Sequence, residues 1–97
     1  MVIIIYIILI YDIFIDNKKS QNILRKVFKT CKKYLYHVQK SVFEGELTNV
    51  QLEKLKLEIK QYVRKDIDSV IIFKSRDEKW LKKEFWTYYR DKTSNFI

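Results

Sequence analysis

With 97 residues the chain suffices for one hydrophobic core and not for two, so residues 1–97 are read as a single domain. Hydrophobic residues at 47% beside charged residues at 33% exclude a disordered chain. Twenty Lys and Arg against 12 Asp and Glu leave a net charge of +8, which points to a polyanionic partner such as nucleic acid without saying which one.

The chain opens with an apolar run over residues 2–11, "VIIIYIILIY". It falls well short of the ~20 residues a membrane-spanning helix needs. No basic segment precedes it and no small-residue cleavage pattern follows, so it is not a signal sequence. Its β-branched residues favour a buried strand. That strand ends in Asp12, a carboxylate that either opens a turn or stands as a metal ligand where a substrate can reach it. Asp16 and Asn17 form an N-cap pair, and Asp16 is assigned to the cap, where a carboxylate also suits the positive end of the helix dipole.

In the helix that follows, Ile23, Leu24, Val27, Phe28, Cys31, Tyr34 and Leu35 recur at spacings of three and four and define a buried face. Lys18, Lys19, Arg25, Lys26, Lys29, Lys32 and Lys33 crowd the remainder, a face suited either to phosphates or simply to water. Cys31 is the sole cysteine, which excludes an intramolecular disulfide and a Cys-based zinc site and fits a reducing cytoplasm. "YHVQKSVFEGEL" then reads as two short strands with a kink near Lys40 and Ser41, ending around Gly45. His37, alone of its kind, is read as a packed or exposed residue rather than a base.

Thr48 and Gln51 match a capping box, and Leu52, Leu55, Ile59, Tyr62 and Val63 supply the buried stripe of a second helix. "DSVIIFKS" is a further strand. "KEFWTYY" has strand propensity, although residues 80–86 also read as a short helix.

This order predicts an α+β, ferredoxin-like β-α-β-β-α-β domain with an additional C-terminal strand. Two helices cover one face of such a sheet. Yet the first strand is apolar on both parities, with Ile3, Ile5, Ile7 and Leu9 on one side and Val2, Ile4, Ile8 and Ile10 on the other. "SVIIF" repeats the pattern. The second apolar face predicts another covering layer, most simply a second copy, and hence a homodimer with facing sheets whose aromatic C-terminal strand extends the neighbour's sheet edge.

"YDI", "HVQKSVFEGELT", "DSVIIFKS" and the terminal "TSNFI" occur in an order, over nearly the whole chain, that resembles the CRISPR-associated Cas2 family of small endonuclease-like adaptors. The resemblance implies a ferredoxin-like homodimer, dependence on a divalent metal such as Mg2+, and a place beside the Cas1 integrase in spacer acquisition. It also implies phosphodiester hydrolysis of RNA or DNA. The family's metal-binding, catalytic acid falls on Asp12. One Asp is sparse for a magnesium site, but two copies meeting at a dimer axis clamp one ion between them.

Ser41 and Phe43 belong to the matched motif and support the site, Phe43 also being read as core. Where the family often carries arginines after the acid, this sequence has Lys18, Lys19 and Arg25, which neutralise a phosphate but, for lysine, do not grip it bidentately. These residues, with Lys29 and Lys33, are expected to hold duplex DNA or single-stranded RNA by the backbone. Three functions compete: a sequence-independent DNA-binding adaptor without chemistry, a magnesium-dependent endonuclease, and a toxin-like ribonuclease on the same fold. "TSNFI" either docks on the integrase or folds back on the dimer.

Overall fold

The computed structural model describes residues 2–82 and 84–87. In chain order they form β1 (Ile4–Asp12), α1 (Lys18–Tyr34), β2 (Tyr36–Gln39), β3 (Val42–Thr48), α2 (Asn49–Tyr62), β4 (Ser69–Ser75) and a 3-10 turn over Glu78–Trp80. The strands make one antiparallel sheet in the order β2-β3-β1-β4. Each helix therefore connects two strands that straddle a third, the split βαβ arrangement expected from the sequence.

The helices start where their caps dictate. Thr48 and Gln51 exchange the expected pair of hydrogen bonds at α2, Gln51 N–H to Thr48 Oγ1 at 3.1 Å and Thr48 N–H to Gln51 Oε1 at 2.9 Å. At α1 the cap is Asn17, whose Oδ1 accepts from the Ser20 N–H at 2.8 Å while Ser20 Oγ accepts from the Asn17 N–H at 3.0 Å. This corrects the assignment of the cap to Asp16. Asp16 lies one residue too early to reach the first free N–H groups, and its carboxylate turns instead to Arg64.

Both helices lie on one face. Ile7, Leu9, Tyr11 and Ile13 from the first strand and its exit pack with Val27, Cys31, Phe43, Leu47, Leu52, Leu55 and Ile59. Leu24, expected on this stripe, is exposed at the margin of α1. The kink between β2 and β3 falls where expected, and Lys40 there adopts φ 40°, a left-handed conformation that non-glycine residues seldom take. The His37 ring, whose Nε2 lies 2.7 Å from the Lys40 carbonyl, braces this turn.

Gly45 does not end the extended segment as the sequence implied. It sits in the middle of β3, opposite Ile7, because a side chain there would meet Leu35 Cδ2 at 3.0 Å. The glycine marks close packing of β3 against the end of α1 rather than a break.

Among the described residues no α-helix covers the other face of the sheet. That face carries Ile4, Ile8 and Ile10 of β1 with Ile71 and Phe73 of β4; Ile71 and Phe73 are 49% and 52% exposed. Tyr6, also on this face, donates to the Glu44 carboxylate, and burial together with that contact pushes its phenol well above the usual range. Of the expected C-terminal strand, residues 84–87 are not in a strand, and the rest of "KEFWTYY", like "TSNFI", lies outside the described residues.

Candidate metal centre and basic helix

Asp12 closes β1, exposed, opposite Ser69 at the start of β4. The end of the strand is anchored, Tyr11 being sunk in the core at 3% exposure and its N–H donating to the Ser41 carbonyl at 3.2 Å, one step beyond the regular β1–β3 ladder. Ser41 thus holds the end of β1 through its backbone carbonyl. Phe43 is completely buried and stacks on Tyr11 with ring centroids 6.0 Å apart, so it acts from beneath the strand and not within reach of substrate.

Among the described residues no group of three or more His, Cys, Asp or Glu side chains is placed to hold a metal ion. Asp12 therefore stands at the end of β1 as an exposed carboxylate outside any such group. A carboxylate is the donor type a hard oxygen-seeking cation takes, and one alone falls short of the ligands such an ion needs.

The sole cysteine and the sole histidine both take packing positions. Cys31 is fully buried, and burial pushes its thiol up to about 12, far from the thiolate range a nucleophile needs. His37 packs its ring against Phe28 and Phe43, with centroids 4.9 Å from each, as the structural reading expected.

The basic residues share α1 but not one role. Lys18, Arg25 and Lys29 recur at spacings of seven and four and so form one exposed stripe. Arg25 Nη1 is oriented by Asn22 Oδ1 at 3.0 Å. Lys19 stands off this stripe, a quarter-turn round the helix from Lys18. Lys33 is engaged elsewhere: its Nζ donates to Glu58 Oε1 at 2.6 Å, tying α1 to α2. That contact lifts the Lys33 ammonium above its ordinary value and holds the Glu58 carboxyl below its own.

The structure adds a pair that the sequence reading did not single out. Arg64 at the end of α2 forks onto Asp68, with Nε to Oδ2 at 3.1 Å and Nη2 to Oδ1 at 2.9 Å. Asp68 also accepts from the Phe14 N–H at 3.1 Å and the Arg64 N–H at 2.8 Å. Burial alone would raise the Asp68 carboxyl, but these hydrogen bonds outweigh it and hold the group below the usual aspartate range. An acid directly before an apolar strand, four residues after an arginine just past the end of a helix, was the available signal.

An antiparallel β2-β3-β1-β4 sheet under two helices, with an exposed acid closing its central strand, defines a small ferredoxin-like domain. The family model for CRISPR associated protein Cas2 matches residues 5–83, and the chain belongs to that family. A CRISPR-associated endoribonuclease Cas2 of Fusobacterium nucleatum is 52% identical over 92 residues, covering 95% of this chain and 86% of that protein. A second relative of that name, from Moorella thermoacetica, is 47% identical over 90 residues, 93% of this chain and 99% of its own length. A Cas2 crystal structure superimposes with TM-score 0.71 at 32% identity, covering 97% of both chains. The Streptococcus pyogenes Cas2 crystal structure does so with TM-score 0.65 at 28% identity, covering 70% of this chain and 82% of that one. No helix among the described residues is long and apolar enough to cross a membrane.

Proposed function

We propose that this chain is a CRISPR-associated, divalent-metal-dependent endonuclease that hydrolyses phosphodiester bonds as a homodimer, with Asp12 of each copy on one shared Mg2+. The observation that carries the reading is the position of Asp12 at the margin of the uncovered apolar face. Ile8, Ile10 and Asp12 alternate along the same side of β1, and Ile71 and Phe73 continue that side on β4. Packing two such faces together buries the apolar patch and draws the two acids toward the symmetry axis. Relatives named endoribonucleases support an RNA substrate.

The ion, when bound, supplies the Lewis acidity that a phosphodiester oxygen and an attacking water need at neutral pH. The chain's part is to present Asp12 on a rigid strand end, held by Tyr11 in the core and by the Ser41 carbonyl. Lys18, Lys19, Arg25 and Lys29 neutralise the backbone of the bound strand without reading its sequence, so affinity falls steeply with salt. Lys33 contributes less, its charge being shared with Glu58.

The same dimer also fits an adaptor that holds duplex DNA for the Cas1 integrase in the cytoplasm, a reading favoured by the +8 charge and the α1 stripe, since neither needs chemistry. Asp12→Ala separates the two activities. Cleavage of single-stranded RNA in Mg2+ is expected to vanish while integration with Cas1 persists. Undiminished cleavage by the highly purified variant overturns the assignment of Asp12. A strictly monomeric wild-type species at micromolar concentration, measured by sedimentation, overturns the shared site.

A further inference from the structure

The loop between β1 and α1 is fastened at both backbone groups of one residue. The Phe14 N–H donates to Asp68 Oδ1, and Arg64 Nη2 donates to the Phe14 carbonyl. Arg64 Nη1 reaches Asp16 Oδ1 at 3.4 Å on the same loop. The Asp68 side chain at the centre of this clamp has no exposed surface. Five hydrogen bonds thus converge on Asp68 and Phe14.

What the clamp holds in place is the stretch of backbone that carries an exposed aromatic ring. Phe14 is 58% exposed, although a ring of that size is ordinarily buried. Ile13 points into the core, so Asp12 and Phe14 are the exposed residues on either side of it. The loop leads directly into Lys18 and Lys19, and Lys65 follows Arg64, all three exposed. An exposed aromatic ring on an anchored loop that runs into cations is the combination by which proteins hold single-stranded nucleic acid, because every base has a π-face and every nucleotide a charge. A base within a duplex is already stacked on both sides and has no free face to offer.

We propose that Phe14 is a stacking platform for an unpaired nucleobase next to the phosphate that a cation on Asp12 would hold, with Arg64 and Asp68 as the positioning residues that present it. The proposal rests on the reading of Asp12 given above. Holding the loop before the ligand arrives removes the ordering cost from binding. It also gives the site a preference for unpaired strands that the sequence-blind lysine stripe does not have.

The test uses the full-length chain carrying Asp12→Asn, so that bound RNA stays intact, and an RNA oligonucleotide containing 2-aminopurine. Binding is expected to quench the fluorophore. Phe14→Ala should abolish the quench and weaken single-strand binding about tenfold while leaving duplex affinity unchanged. Phe14→Trp should keep the quench and Phe14→Leu should lose it, which separates stacking from mere apolar contact. Arg64→Lys, which keeps the charge but not the fork, should reduce the quench without altering the salt dependence of binding.

An undiminished quench in Phe14→Ala overturns the proposal. So does a drop in sedimentation coefficient in that variant, which would assign the ring to the contact between copies. Cleavage by the Asp12→Asn variant at the wild-type rate overturns the metal-site reading instead, and the quench still decides whether Phe14 stacks.

Discussion

The two faces of the sheet carry similar residues with opposite fates. On the helix side Ile7, Leu9 and Phe43 are at most 1% exposed; on the other, Ile71 and Phe73 of β4 stand half in water. Along β4 the alternation is literal, Val70 and Ile72 packing against the core while Ile71 and Phe73 turn away. Apolar content therefore does not by itself say which residues stabilise the single chain. The helix-side residues close the fold, and the others form a surface with the composition of an interface.

Truncation on the two faces should break this comparison or establish it. Phe43→Ala removes a wholly buried ring in contact with Tyr11 and Phe28 and should cost about 3–5 kcal/mol of unfolding free energy, read by urea titration. Phe73→Ala should leave unfolding of the separated chain nearly unchanged and raise the dimer dissociation constant at least about tenfold, read by sedimentation. Equal losses of unfolding free energy from both variants would mean that the second face is already part of the monomer's core.

The Arg64–Asp68 clamp should rank next. Asp68→Asn keeps the shape of the side chain but gives up the charge that four donors address, and should lower stability by about 1–3 kcal/mol. Its pH dependence has a definite sign. The Asp68 carboxyl is held below its ordinary value in the folded protein, so the unfolded chain binds the proton first on acidification. The wild-type advantage over Asp68→Asn is then complete above about pH 4 and shrinks as the pH falls through the lowered folded value. An advantage that stays constant down to pH 2 would mean that the charge of Asp68 is not what the clamp uses.

Gly45 sharpens the comparison at a finer scale. It is the chain's single glycine, and Gly45→Ala puts a methyl 3.0 Å from Leu35 Cδ2, the end of a side chain only 5% exposed that must give way to admit it. A loss of about 1–3 kcal/mol is expected by thermal melting, the usual result of overpacking. The same residue shows why part of the fold was illegible in the sequence. Glycine weakens a strand locally, so its presence argued for an end, and nothing local reveals that α1 and β3 approach closely there. By contrast the helices and both apolar parities of β1 were legible, because periodicity acts within a few positions. Asp12 was legible as an exposed acid ending a strand, whereas the Arg64–Asp68–Phe14 clamp joins groups about fifty positions apart and leaves no periodic trace.

The smallest effect concerns which residue starts α1. Asp16 and Asn17 are both good capping types, and in sequence the acid has the stronger claim through its charge. The structure decides by position: Asn17 Oδ1 lies 2.8 Å from the Ser20 N–H, while Asp16 faces Arg64 at 3.4 Å. Asn17→Ala should therefore cost about 1 kcal/mol, the usual value for losing a cap, and Asp16→Ala distinctly less. Because Asp16 meets its partner across an exposed ion pair, its smaller effect should fade further in high salt, and that of Asn17 should not. A salt-sensitive loss in Asn17→Ala, or a larger loss in Asp16→Ala, would move the start of the helix back to the acid.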